Sequence, residues 1–124
     1  MSEAVSCASL MDVWSELESV DVVGIDEGQF FPDLVEFADR AGNEGKRVIV
    51  AALDATFERE AFGDVCRLLP VAEQVTKLSA VCTACGADAA FTLRTTGETE
   101  VEVIGGAEMY TPRCRACFGA AGAP

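Results

Sequence analysis

Thiols and carboxylates are the residues of this chain best placed to do chemistry. Cys82-x-x-Cys85 is followed, after 28 intervening residues, by Cys114-x-x-Cys117. Each pair can bend its backbone into a knuckle that aims two thiolates at one point, and four thiolates in a tetrahedron suit a structural Zn²⁺. Disulfides or unrelated buried thiols are the alternatives, and the reducing compartment expected for a chain without an export signal weighs against the first. The spacer exceeds the usual ribbon spacing, so a long loop is expected to project between the pairs. Four thiolates around one Zn²⁺ leave a charge of about −2, which Arg113 and Arg115, on either side of Cys114, are placed to offset. Cys7 and Cys66 lack such partners and read as ordinary buried residues.

The second chemical feature is Asp26-Glu27, which leaves an apolar segment, Asp21 to Asp26. Ligands of open α/β sheets bind beyond the carboxyl ends of the strands, where carboxylates can reach a magnesium ion and a substrate hydroxyl. The plainer alternative is a solvated acidic turn, with Asp33 assisting the N-terminus of the next helix. A third feature is aromatic: Phe30 and Phe31 follow the acidic pair, and Phe57 and Phe62 follow the next apolar run. These rings can cluster around a flat ligand or simply pack in a core. The chain contains no histidine. A Ser/His/Asp triad, a Cys/His pair and every His-containing metal site are therefore excluded within it.

The elements that must position these groups follow from apolar periodicity. Leu10, Trp14 and Leu17 recur at helical spacing, so an amphipathic helix is expected before a buried strand at Asp21 to Asp26. Pro32 suits a first helical turn, Leu34, Phe37, Ala38 and Ala41 make one apolar face, and Gly45 can end that helix. Val48 to Leu53 is a continuous apolar run, as in a strand covered on both faces. Strand, helix and strand make a βαβ unit and imply a parallel sheet. A short helix is expected from Phe62 to Leu69, stopped by Pro70, and a third strand near Gln74 to Leu78. Beyond Val81 the character changes: Ala89 to Arg94 and Glu100 to Ile104, joined through Thr96-Gly97 and flanked by the Cys pairs, read as a β ribbon. The expected fold class is therefore α/β, with a partial parallel sheet and its helices over residues 1–79. A zinc-ribbon β subdomain follows at 80–118 and a small-residue, frayed tail at 119–124.

Charge narrows the partners. Nine Lys+Arg stand against 21 Asp+Glu, a formal net charge of −12, and residues 1–40 hold ten acids and one base. Nucleic-acid binding needs clustered cations and is not expected. The longest strongly apolar stretch, Val48 to Leu53, is too short to cross a bilayer, and the first 39 residues contain no Lys or Arg to lead a secretory signal. The reading is a chain with no membrane partner, in the cytoplasm.

Four runs together resemble the C-terminal portion of the cellular-type thymidine kinases: VVGIDEGQFFPDLVEFAD, KRVIVAALDATFEREAFGDV, LPVAEQVTKLSAVCTACGADAAFTLR and EVEVIGGAEMYTPRCRACF. The resemblance covers about residues 18 to 118 nearly without gaps. It implies ATP-dependent phosphorylation of thymidine at its 5′-hydroxyl, with ATP and thymidine as partners. By matching position, Glu27 is the general base and Asp26 the Walker B-type acid that holds Mg²⁺ with ATP. Phe30, Leu53, Phe57, Thr92 and Tyr110 match positions around the nucleoside, Phe30 near the base and Thr92 near its methyl. Val101 to Gly106, including Val103 and Gly105, corresponds to a lasso loop whose backbone holds the thymine edge. Zinc at Cys82, Cys85, Cys114 and Cys117 then anchors that loop. The resemblance also implies a homo-oligomer, commonly a tetramer.

One family element is missing from these residues. The P-loop, Gly-x4-Gly-Lys-Ser/Thr, cradles the ATP phosphates. Here the one Gly-Lys dipeptide, Gly45-Lys46, is followed by Arg47, and Arg40 stands where the first glycine would be. Lys77 follows Thr76, not glycine. The expectation is a truncated gene model, splice product or excised fragment with impaired catalysis and an exposed strand edge where the first strand would pair. The alternative is a non-catalytic, zinc-stabilised module that binds nucleosides or pairs with complete subunits.

Overall fold

The structure, a computed structural model, describes residues 4–95 and 110–122. They fall into two compact units, one within Met1–Asp54 and Ala61–Gln74, the other within Ala55–Glu60 and Val75–Pro124.

The first unit is built around a parallel strand pair. β1 (Val22–Ile25) and β2 (Arg47–Val50) run in register from Val22 opposite Arg47 to Ile25 opposite Val50, with α1 (Leu34–Asn43) between them in sequence. On one sheet face Val23, Ile25, Val48 and Val50 pack into a core with Leu34, Phe37 and Ala41 of α1 and with Leu10 and Leu17. The α1 face is thus the one its apolar spacing predicts. Gly45, in a left-handed conformation with φ +90°, follows the helix end. The opposite sheet face is open: Val22 and Ile49 are 53% and 57% exposed, and a Cβ at Gly24 would meet nothing within 4 Å. The apolar run of β2 is therefore covered on one side only, because these residues supply no second layer.

Leu10–Ser19 forms a 3-10 helix. Its Trp14 ring meets Phe37 edge-on, centroids 5.5 Å apart, and the Arg40 guanidinium lies 4.3 Å above Trp14. The role of Asp33 differs from the sequence expectation. It stands at the N-cap of α1, yet its side chain makes no bond to that helix. Its carboxylate instead accepts from the Ser9 hydroxyl (2.8 Å), the Leu10 N–H (3.1 Å) and the Met11 N–H (2.9 Å), capping the preceding helix across 22 to 24 residues of chain. Burial pushes its pKa up, but the bonds from Met11, Ser9 and Leu10 win, and the carboxyl sits below the usual range. A depressed carboxyl stabilises the fold above the unfolded-state pKa of about 4, and that contribution is lost as pH falls through the lower folded value. Asp33→Ala is expected to cost about 1–3 kcal/mol at pH 7, read as a shift in urea midpoint, with the gap from the parent narrowing below about pH 4.

The segments that follow depart from expectation. The helix after Phe62 is a 3-10 helix, Val65–Val71, and Pro70 lies inside it, not beyond it. No strand forms at Gln74 to Leu78. Those residues are all exposed, with Leu78 83% so, and a strand that buries neither face gains little by forming.

The second unit is a pair of two-stranded antiparallel ribbons with one short helix. β3 (Ala80–Val81) pairs with β4 (Asp88–Ala89), β5 (Phe91–Arg94) pairs with β6 (Tyr110–Arg113), and α2 (Arg115–Ala120) follows. The expected ribbon partner Glu100 to Ile104 lies outside the described residues; among the described residues β6 lies beside β5. Helix α2 continues through Gly119 and Ala120, into the span read as a frayed tail. Among the described residues, no helix is long and apolar enough to cross a membrane.

Candidate metal centre and carboxylate loop

The chain reaches its first cysteine pair through a tight turn. Cys82 N–H donates to Ala87 O (2.8 Å), Gly86 N–H returns to Cys82 O (2.9 Å), and Gly86 holds φ +83°. Thr83 N–H donates to Pro112 O (3.1 Å), which ties this knuckle to β6. The second pair is built differently. Cys114 is the N-cap of α2 and its sulfur accepts from Cys117 N–H (3.5 Å), so Cys117 sits in the first turn of a helix, not in a second knuckle.

These two supports bring the four sulfurs of Cys82, Cys85, Cys114 and Cys117 within 4.8 Å of one another, with Cys85 and Cys114 Sγ 3.7 Å apart. A tetrahedron of sulfurs about 2.3 Å from a zinc ion has edges of about 3.8 Å. The cluster can therefore hold a metal ion such as zinc. Cys82 is buried, Cys114 and Cys117 half-buried, and Cys85 exposed. The thiols share protons unequally. The Cys114 N–H, acting against burial and joined by the N–H groups of Ala84 and Cys85, holds Cys82 at about 6. Cys114 is also lowered, chiefly by the Cys117 N–H. Cys117, crowded by the sulfurs of Cys114, Cys85 and Cys82, is pushed up to about 12. These opposed shifts follow from four thiols sharing one small space.

The two arginines on either side of Cys114 also have other partners. Arg113 Nη1 donates to the Thr83 hydroxyl and to Thr111 Oγ1 (2.9 Å), while Arg115 lies 4.9 Å over the Phe91 ring. Arg113 thus laces β6 to the first knuckle. Cys66, expected to be buried, is exposed, its sulfur 3.8 Å from Asp54 O; Cys7 is half-buried against the core of the first unit.

In the first unit, Asp26 and Glu27 leave the carboxyl end of β1 and are both exposed. Glu27 N–H donates to Asp26 Oδ1 (2.9 Å). Glu27 itself holds a left-handed backbone, φ 55°, which for a side-chain-bearing residue persists only when its surroundings enforce it. The enforcement is visible. Gly28 N–H donates to Ala51 O (3.0 Å), and a Cβ on Gly28 would sit 3.0 Å from Val50 Cγ1 and 3.2 Å from Ala52 Cβ, so a larger residue would have to push those side chains aside. Next to it, Gln29 is 6% exposed and acts as a brace: its Nε2 donates to Glu27 Oε1 (2.8 Å), and its Oε1 accepts from Leu53 N–H (3.0 Å). Gln29 was not singled out from the sequence. The signal available was a lone amide between a glycine and two phenylalanines, where a buried polar group must find partners.

The other site residues read from the sequence are distributed as follows. Phe30 is 64% exposed and meets Phe62 edge-on at 5.6 Å, and Leu53 is exposed beyond β2; both belong to the first unit with Asp26 and Glu27. Phe57, Thr92 and Tyr110 belong to the second unit, where Phe57 and Tyr110 lie 6.0 Å apart. Val101, Val103 and Gly105 lie outside the described residues.

An α/β unit with carboxylates at the end of a parallel strand pair, carried on one chain with a four-cysteine module, defines the class. The family model for thymidine kinase matches residues 1–118. The thymidine kinase of myxoma virus (strain Lausanne) is 56% identical over 115 residues, covering 93% of this chain and 65% of its own length. The cytosolic thymidine kinases of Gallus gallus and Bos taurus are each 55% identical over 116 residues, covering 94% of this chain and 52% and 49% of their own lengths. The chain belongs to the thymidine kinase family, and it spans about half to two thirds of the length of these relatives.

Proposed function

We propose that this chain serves the ATP-dependent phosphorylation of thymidine to thymidine monophosphate and carries the nucleoside-handling part of that reaction. The observation that supports this best is the loop at the end of β1, where Glu27 stands exposed in a strained conformation braced by buried Gln29. In this reading the Glu27 carboxylate takes the proton of the thymidine 5′-hydroxyl as that oxygen attacks the γ-phosphorus and ADP leaves. The Gln29 amide fixes the carboxylate's direction, which matters because phosphoryl transfer depends on alignment. Asp26 holds Mg²⁺, which supplies charge neutralisation at the phosphates. Phe30, Leu53, Phe57, Thr92 and Tyr110 contact the nucleoside, and Val101 to Gly106 grips the thymine edge through its backbone. Zinc, held by Cys82, Cys85, Cys114 and Cys117, is architectural. The protein works as a homo-oligomer in the cytoplasm, in keeping with relatives named as cytosolic.

A second reading has its own support. The 124 residues contain no Gly-x4-Gly-Lys-Ser/Thr, so they supply no cradle for the ATP phosphates. Under that reading the chain is a zinc-stabilised module that binds thymidine, or pairs with complete subunits, without transferring phosphate. One assay separates the two: zinc-loaded protein with ATP, Mg²⁺ and thymidine. The kinase reading predicts turnover that falls about 10²- to 10⁴-fold in Glu27→Gln. Thymidine binding without turnover selects the nucleoside-binding module, and absence of both removes the kinase reading and that form of the module, leaving the pairing form.

A further inference from the structure

The segment Ala55–Glu60 belongs to the four-cysteine unit although residues on both sides of it belong to the other. It is a tight turn: Thr56 N–H donates to Glu60 O (2.8 Å), Arg59 N–H to Thr56 O (2.9 Å), and Glu58 N–H to Thr56 Oγ1 (3.2 Å). Arg59 closes it with φ 63°, a left-handed conformation that glycine or asparagine would adopt at less cost. Among the described residues, Glu27 is the other side-chain-bearing residue with a positive φ.

The Arg59 side chain reaches two rings. Its guanidinium lies 4.7 Å from the Phe118 centroid and 5.4 Å from that of Phe91, and those rings are themselves 5.6 Å apart. Phe118 is 2% exposed on α2, the helix whose N-cap is Cys114 and whose first turn carries Cys117. Two residues before Arg59, the Phe57 ring faces Tyr110 at 6.0 Å and the Arg94 guanidinium at 5.4 Å.

We propose that Arg59 is a positioning residue: stacked on Phe118 and Phe91, it pins the 55–60 turn to the four-cysteine unit and so holds Phe57 at Tyr110. A planar, delocalised cation suits this task, since it can lie against two ring faces while staying charged, and a compact ammonium cannot do both as well. The consequence for thymidine rests on the assignment of Phe57 to the nucleoside made above; the ordering of the turn does not.

The test uses the zinc-loaded full chain, its parent and the variants Arg59→Gln, Arg59→Gly and Arg59→Lys, with amide hydrogen exchange at Thr56 and Phe118 and with thymidine titration. Gln and Gly are expected to raise Thr56 exchange about tenfold or more while Phe118, whose N–H donates to Cys114 O, keeps its protection. Lys falls between. Arg59→Gly is the decisive variant: it relieves the left-handed backbone, so if conformation alone held the turn, Thr56 would become better protected. Unchanged or improved protection in Gln and Gly overturns the proposal, as does equal loosening at Thr56 and Phe118, which marks general destabilisation. Thymidine affinity is expected to weaken about five- to tenfold in Gln and Gly. If the parent binds no thymidine, the functional reading fails, and the Thr56 result still decides the role of Arg59.

Discussion

Replacing Cys82 with serine is expected to remove bound zinc, from about one ion per chain to a small fraction of that, and to unfold the second unit. A comparison of magnitudes gives the reason. Among its described residues, Cys82, Ala89 and Phe118 are buried. Full burial of a phenylalanine stabilises by about 1.5–3 kcal/mol, whereas each ordered residue costs about 1–2 kcal/mol of backbone entropy. Set against two short ribbons and a six-residue helix, the apolar core among these described residues falls short of that cost. A structural zinc site contributes about 10–16 kcal/mol, enough to decide the fold. Cys82 is also the most buried of the four ligands and anchors the first knuckle, so its loss removes a donor and a turn together. Metal analysis and amide exchange of β5 and β6 read the result. A variant that keeps one zinc and full protection would show that the sulfur cluster is incidental.

Phe37→Ala is expected to cost the first unit about 3–5 kcal/mol. Phe37 is 1% exposed at the centre of the α1 face, and its ring meets Trp14 edge-on, a contact that adds about 0.5–1.5 kcal/mol to area burial. Leu34 and Ala41 on the same face are fully buried, so the truncation opens its space inside the core. Set against a typical stability of about 5–15 kcal/mol, the loss leaves a marginal fold. Trp14 is the sole tryptophan and touches the deleted ring, so its fluorescence in a urea titration reports this unit directly. A cost below about 1.5 kcal/mol would mean that the core lies elsewhere.

What could be read in advance follows the strength of local rules. The α1 helix, the parallel pair and the four-cysteine set were legible because each rests on spacing alone: a helical period, an apolar run, and paired C-x-x-C. Other features depend on partners distant in sequence. The i, i+4, i+7 spacing of Leu10, Trp14 and Leu17 favours an α-helix, and the 3-10 helix that forms there is not encoded in that spacing. Asp33 carries the composition of a cap for the helix that follows it, yet its hydrogen bonds run to residues 9–11, a choice no local pattern encodes. Val75 and Leu78 have strand-like composition, but both are exposed, and burial of a face is what a strand there would need. The Gln29 brace and the Arg59 stack were invisible for the same reason: each exists only once separate segments have met.

The account stands or falls on whether the four-cysteine unit grips a nucleoside. Thymidine titrated calorimetrically into the zinc-loaded chain, without ATP, measures this directly. Saturable binding of one thymidine per chain, lost in Cys82→Ser along with its metal, is the predicted result. Absence of binding by the zinc-loaded chain, or undiminished affinity in a metal-free Cys82→Ser protein, would contradict it.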